Sequence, residues 1–263
     1  MSKVTKYPPG TFCWVDLTTK DMEAAKKFYS GLFGWEFADM SAGALVYAMA
    51  QLGGENVAGM GEPGPDMPDA ATSWNSYVSV EDVDTSVEQV KELGGKVLHE
   101  PGDIGEAGRT ALIAGPEGAP LWLWQANRHA GAGLVNEPGT FVWNELMAPS
   151  ADESVDFYTK LFGWAHKVQE MPDGRVYHIF ENKGRPAAAL LEMTKDMADM
   201  PAMWAIYLAV ADLDASLAKV KELGGKVEFG PMTIPKTGSF AMVGDTMGGH
   251  FYLIQMEQEP TPL

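Results

Sequence analysis

Gly10-Thr11-Phe12-Cys13-Trp14-Val15-Asp16-Leu17 returns as Gly139-Thr140-Phe141-Val142-Trp143-Asn144-Glu145-Leu146, an offset of 129 residues (139 minus 10). At that offset Phe28-Tyr29 meets Phe157-Tyr158, and Leu32-Phe33-Gly34-Trp35 meets Leu161-Phe162-Gly163-Trp164. Val90-Lys91-Glu92-Leu93-Gly94-Gly95-Lys96-Val97 then reappears unbroken from Val220 to Val227 at an offset of 130, with Gly118 matching Gly248 and Gln125 matching Gln255. One residue of drift over half a chain marks a tandem duplication, whereas solenoids repeat every ~20–50 residues. Two homologous domains follow, 8–127 and 137–259. The segment 128–136 between them, with Ala130-Gly131-Ala132-Gly133, reads as a surface linker.

Within each half the periodicity alternates. Phe12 to Leu17 is strand-like; Asp21 then opens a helix with Met22, Ala25, Phe28, Tyr29 and Leu32 on one face, stopped by Gly34. Trp35-Glu36-Phe37, Leu45-Val46-Tyr47-Ala48-Met49 and Asn56-Val57-Ala58 read as strands. The order then restarts: a strand from Trp74 to Val80, a helix from Asp84 to Gly94-Gly95, and strands at Val97-Leu98-His99, Thr110–Ile113 and Leu121–Trp124. Each half is two βαβββ modules, so the chain holds four and its class is α+β. The Gly-Gly pairs read as helix stops, since no glycine-rich strand-to-helix turn of a phosphate loop surrounds them.

Composition narrows the function classes. The 263 residues carry 19 Lys and Arg against 36 Asp and Glu, a net charge of -17, which argues against nucleic acid or an anionic membrane as partner. A single cysteine excludes a disulfide scaffold and points to the cytoplasm. No apolar core follows the two N-terminal lysines as in a signal peptide, and the longest apolar run, Pro201 to Ala211, is about half of the ~20 residues a membrane helix needs. The expectation is a soluble protein.

The strand, the helix with Phe-Tyr and Leu-Phe-Gly, the three following strands, the Val-Lys-Glu-Leu-Gly-Gly helix end and Pro116-Glu117-Gly118 together resemble the vicinal oxygen chelate superfamily of glyoxalase I, bleomycin resistance proteins and extradiol dioxygenases. The resemblance spans nearly the whole chain, twice. The Trp-x-Asp/Glu-Leu pattern is similar to that of bacterial two-domain glyoxalase-like proteins, often labelled hydroxylases. It implies two U-shaped mixed sheets with open clefts. It also implies metal ligands on inward-facing strand positions, which here align with Trp14, Asn75, Trp122 and Gly59 or Met60, and with Trp143, Ala205, Tyr252 and Ala189. None is His, Glu or Asp, and divalent metals in such sites need imidazole or carboxylate. No cofactor is therefore expected. A displaced divalent-metal site using Glu145 and His250 is the minor reading, as Pro120 replaces His250 in the first half and no third ligand is evident.

Strand alternation puts Asp16 on the face of Trp14 and Glu145 on that of Trp143. A carboxyl in an aromatic cleft should have a raised pKa, suiting a general base or a partner for a ligand NH or OH. Asp16 and Glu145 are thus candidate catalytic residues. Trp14, Asn75, Tyr77, Trp122 and Trp124 in the first half, and Trp143, Tyr207, His250 and Tyr252 in the second, are candidate ligand contacts. Cys13 points away from Trp14 and reads as structural; Phe28 and Tyr29 read as buried helix face. His99, His129, His166 and His178 show no ligand spacing and read as solvated or hydrogen-bonded. The favoured function is metal-independent binding of a small aromatic or apolar molecule. The alternatives are a glyoxalase-, dioxygenase- or hydroxylase-type enzyme using Asp16 and Glu145 or an unrecognised metal, and a regulatory protein-interaction module, as monomer or homodimer.

Overall fold

The computed structural model describes residues 3–40, 46–64, 68–171, 174–197 and 199–257. Met1 and Ser2 of the N-terminus, Leu45 of the expected third strand and residues 258–259 of the second domain lie outside them. The first half runs β1 (Phe12–Thr18), α1 (Met22–Phe33), β2 (Glu36–Asp39), β3 (Tyr47–Leu52), β4 (Glu55–Gly61), β5 (Ser73–Ser79), α2 (Val83–Glu92), β6 (Lys96–Ile104), β7 (Gly108–Ala114) and β8 (Pro120–Ala126). The second repeats it: β9 (Phe141–Ala148), α3 (Ala151–Phe162), β10 (Ala165–Glu170), β11 (Val176–Asn182), β12 (Arg185–Glu192), β13 (Met203–Ala209), α4 (Leu213–Glu222), β14 (Lys226–Ile234), β15 (Gly238–Gly244) and β16 (His250–Met256). The side chains of Asp21, Asp82 and Asp212 cap α1, α2 and α4 by accepting from the N–H three residues on. Gly34 and Gly163 end α1 and α3 in the left-handed conformation that glycine adopts without strain.

The two modules of a half pair with each other. Their sheet has the order β2-β3-β4-β1-β5-β8-β7-β6, repeated as β10-β11-β12-β9-β13-β16-β15-β14. β1 runs parallel to β4 and antiparallel to β5, so each sheet is mixed and the first strands of both modules meet at its centre. Side chains alternate across it: Trp14 and Asp16 face the concave side, while Cys13, Val15 and Leu17 enter the core with no exposure at all.

That core is shared by both halves. Phe12 of β1 packs on Trp164 and Trp204 of the other half, and Ser76 of β5 donates 2.7 Å to Asn144 of β9. The convex faces thus pack on each other and the clefts open on opposite sides. The repeated motifs form the joint. Trp74 donates to the Tyr29 hydroxyl (2.9 Å), which donates to Asp245 of the other half (2.8 Å); Trp204 donates to Tyr158 (3.2 Å), which donates to Glu117 (2.7 Å). The indoles of Leu-Phe-Gly-Trp cross as well, Trp35 donating to the Gly139 carbonyl and Trp164 to that of Gly10. Gly95 and Gly225 do more than follow a helix: a Cβ on Gly95 would lie 2.7 Å from Phe157, and one on Gly225 2.9 Å from Phe28.

The linker departs from the expected surface segment. Ala132 is fully buried, its N–H donating to the Cys13 carbonyl and its own carbonyl accepting from Tyr7. A bulge between Phe12 and Trp14 frees that Cys13 carbonyl from the β1–β5 ladder.

Because the halves share one core, urea unfolding should be a single transition, coincident by tryptophan fluorescence and far-UV circular dichroism. Gly95→Ala and Gly225→Ala should each cost about 1–3 kcal/mol through overpacking. Tyr29→Phe, which strips a partner from both Trp74 and Asp245, should cost a similar ~1–3 kcal/mol. Two separated transitions, or unshifted midpoints, would contradict this interlock.

Candidate functional site

Each cleft is built on one carboxylate at the centre of its sheet. Asp16 of β1 lies opposite Asn75 on one neighbouring strand and Gly59 on the other. Asn75 donates to Oδ1 (2.8 Å), while Tyr77 (2.8 Å) and Tyr47 (3.1 Å) donate to Oδ2. Tyr47 accepts in turn from the Trp14 indole at 3.0 Å. The carboxylate therefore has three donors of the chain's own, against about four lone-pair sites.

Glu145 holds the matching place, opposite Ala205 and Ala189. Tyr177 donates to Oε2 at 2.6 Å and accepts from Trp143 at 3.2 Å, and Tyr207 donates to Oε1 at 3.1 Å. Ala205 stands where the first half has Asn75, so the amide donor is gone and, among the described residues, Tyr207 is the one donor to Oε1. Sequence reading missed Tyr47 and Tyr177. They were within reach, since they match at the offset of 130 (177 minus 47) and sit in Val-Tyr pairs on equivalent strands of the two halves.

Burial raises the pKa of Asp16 against the lowering effect of Asn75, Tyr77 and Tyr47. Burial likewise raises Glu145, opposed by Tyr177, Tyr207 and the Arg175 charge. Tyr47, Tyr77, Tyr177 and Tyr207 are pushed well above the ordinary tyrosine value by burial and then by the carboxylates, and Tyr252 is pushed up to about 12 by burial and Glu145. The tyrosines stay hydroxyl donors. Each carboxyl is the acidic group of its network, held above the ordinary carboxylate value by burial.

The walls differ more than the floors. In the first cleft Trp122 stacks on Tyr77 (centroids 5.6 Å apart, planes at 11°), Trp124 stands edge-on to Tyr77, and His99 flanks Trp122. His129 of the linker closes one end. Its ring meets Trp14 edge-on at 4.6 Å and its carbonyl accepts from Trp124. The His129 Nε2 is buried without a partner, contrary to the expectation of a solvated or bonded histidine, and burial lowers its pKa. In the second cleft Tyr252 stacks on Tyr207 (4.5 Å, 13°) with Phe240 beside both. Strand register adds Met242 opposite Tyr252, Phe229 opposite Met242 and Met232 opposite Phe240. Phe229 is 50% and Met232 42% exposed. Their counterparts at minus 130 are His99 and Gly102, so the second wall is the more apolar. The counterparts of His129, residues 258–259, lie outside the described residues.

The positions that the resemblance marks for metal do not suit one. Register selects Gly59 over Met60, whose side chain is buried on the core side. A Cβ on Gly59 would lie 1.8 Å from the Tyr47 hydroxyl, so that hydroxyl fills the space a ligating side chain would need. The remaining groups are indole, amide, phenol and methyl, which are poor ligands for a hard or borderline divalent ion. His250 lies at the exposed start of β16. Among the described residues no group of three or more His, Cys, Asp or Glu converges to hold a metal, and no helix is long and apolar enough to cross a membrane.

Comparison with known proteins agrees with this architecture. A family model described as the glyoxalase/bleomycin resistance protein/dioxygenase superfamily matches residues 11–123 and again 128–251. A Mycobacterium tuberculosis protein with the provisional name glyoxylase CFP32 is 42% identical over 258 residues, covering 97% of this chain and 98% of its own. The anthracycline biosynthesis protein DnrV of Streptomyces peucetius is 31% identical over 271 residues, covering 97% and 96%. Among solved structures, the Mn(II)-bound glyoxalase of Novosphingobium aromaticivorans superposes with a TM-score of 0.66 at 17% identity, over 96% of this chain and 84% of that one. The 2,3-dioxygenase LapB of Pseudomonas sp. KL28 gives 0.65 at 14%, over 100% and 96%. At these identities the structures speak for the fold.

The raised carboxyls tie stability to pH. The folded chain holds the Glu145 proton more tightly than the unfolded chain, whose ordinary value is 4.5. This contribution is therefore full below that value and lost as pH rises through the raised one. Relative to the parent chain, Glu145→Gln should gain in melting temperature as pH is raised from 4.5 toward neutrality. Parallel curves for the two proteins would refute the raised value.

Proposed function

Because the chain belongs to the glyoxalase/bleomycin resistance protein/dioxygenase superfamily through both of its halves, we propose that it binds a flat, hydroxylated aromatic small molecule in the cleft of its second half, without a metal. Asp16, with three donors of the chain's own, is an internal clamp in this reading, and Glu145, with two, is the polar anchor. The observation that carries it is the exchange of Asn75 for Ala205, which leaves Glu145 two tyrosine donors and acceptor capacity facing an apolar aromatic wall. A ligand hydroxyl would donate to Oε1 while its ring lies along Trp143, Tyr207, Tyr252 and Phe240. The name of the Streptomyces relative, an anthracycline biosynthesis protein, supports a planar fused-ring ligand.

A second reading is favoured by the place of Glu145 in the cleft: burial raises its pKa and so makes the carboxylate a stronger base, and beside a bound hydroxyl it can take that proton as a general base does. Binding and proton transfer use the same residue, so binding is tested first.

Calorimetric titration with a dihydroxyanthraquinone, within a panel of hydroxylated aromatics, should show binding to the parent chain. Loss of one well-placed hydrogen bond is worth ~1–3 kcal/mol, so Glu145→Gln and Ala205→Asn should each weaken it about tenfold or more. Asp16→Asn should leave the affinity unchanged. A panel without a binder, or affinity indifferent to Glu145→Gln and Ala205→Asn, would sink the proposal.

A further inference from the structure

Away from both clefts, on the helix-facing side of the second sheet, two imidazoles meet. His166 of β10 lies opposite Phe180 of β11, and Val168 lies opposite His178, so the histidines are diagonal neighbours on one face. His166 Nε2 and His178 Nδ1 are 3.0 Å apart. The ring planes differ by 8° with centroids 5.1 Å apart, which sets the rings edge to edge, nitrogen to nitrogen. Phe180 underneath is fully buried, packed on Trp164 and Tyr158 and 6.1 Å from His166. The backbone carrying the pair is therefore anchored in the shared core.

Imidazole nitrogens bind zinc at ~2.0–2.1 Å, so two of them at a right angle about one ion stand about 3 Å apart. The pair already has that spacing, as a hydrogen bond whose two nitrogens face each other, so each ring must turn to aim its lone pair at an ion. Neutral imidazole suits copper, nickel and zinc. β10 is the outer strand of its sheet and His166 is exposed, so an ion can enter from solvent. The net charge of -17 draws cations to the chain.

We infer that His166 and His178 form a binding site for one divalent transition-metal ion of the copper, nickel or zinc class, with water in the remaining positions. In the metal-free chain one ring donates its N–H to the other. On metal entry that proton leaves the facing nitrogen and solvent returns one to the other nitrogen of the same ring. The change is one of tautomer, both facing lone pairs turn to the ion, and the net proton count is unchanged. With two protein ligands this is an open, exchangeable site and not a closed structural one. It is independent of the cleft reading, since it lies on the other face of the sheet.

The test is calorimetric titration of the untagged full chain with Cu2+ and with Zn2+, alongside electron paramagnetic resonance of the Cu2+ form. The expected result is one ion per chain, copper bound more tightly than zinc, and a nitrogen hyperfine pattern from two imidazoles. His166→Gln and His178→Gln should each lower copper affinity at least tenfold and reduce the pattern to one imidazole. His99→Gln and His250→Gln should change neither. His166→Asn gives a second, shorter replacement, and circular dichroism without metal checks that every variant is folded. Unchanged copper affinity in the folded His166→Gln, His178→Gln double variant would overturn the assignment, as would equal losses from His250→Gln.

Discussion

The structure depends on one reciprocal packing contact: an aromatic pair on the first helix of each half pressed against a glycine beside the third helical turn of the other. Phe28 meets Gly225 and Phe157 meets Gly95, at distances that leave no room for a methyl group. Once those rings are seated, the Tyr29 and Tyr158 hydroxyls reach Asp245 and Glu117 across the joint, and the indoles of Trp35 and Trp164 reach the carbonyls of Gly139 and Gly10. Each bond crosses between halves and has a counterpart running the other way. The convex faces are thereby consumed, and the concave faces are what remains for chemistry.

The topology was legible because it was written twice. Two short strands with a helix between them are ambiguous alone; the same pattern at offsets of 129 and 130 is not. The repeat also marked Phe28-Tyr29 and Gly94-Gly95 as meaningful without telling why. A contact between halves has no sequence spacing to read, so those residues look like ordinary helix face and helix stop. The same limit hid the His166 and His178 pair, which is created by a hairpin register. It hid the burial of the linker too, because small residues signal a flexible connection and a tightly packed one equally well. In the clefts, alternation placed Asp16, Glu145 and their tryptophans on the concave face, while the tyrosines completing each network come from other strands.

The clefts show how little sequence change separates a closed polar network from an available one. Asp16 and Glu145 sit at matching register, each below a tryptophan whose indole bonds a tyrosine that bonds the carboxylate. Asn75 supplies a third donor in one, and Ala205 supplies none in the other. Around them the walls diverge in the same sense, with His99 and Gly102 on one side and Phe229 and Met232 on the other. The two buried carboxylates thus differ by one donor in the same geometry, three on Asp16 and two on Glu145.

The buried linker gives that divergence a direction. When two like units are joined head to tail, the connecting segment leaves the end of the first and enters the start of the second, and here it runs along the first cleft. Here it sets Ala132 on the Cys13 carbonyl and His129 against Trp14. Connectivity thus adds to the first cleft a wall drawn from outside the repeated strands and helices.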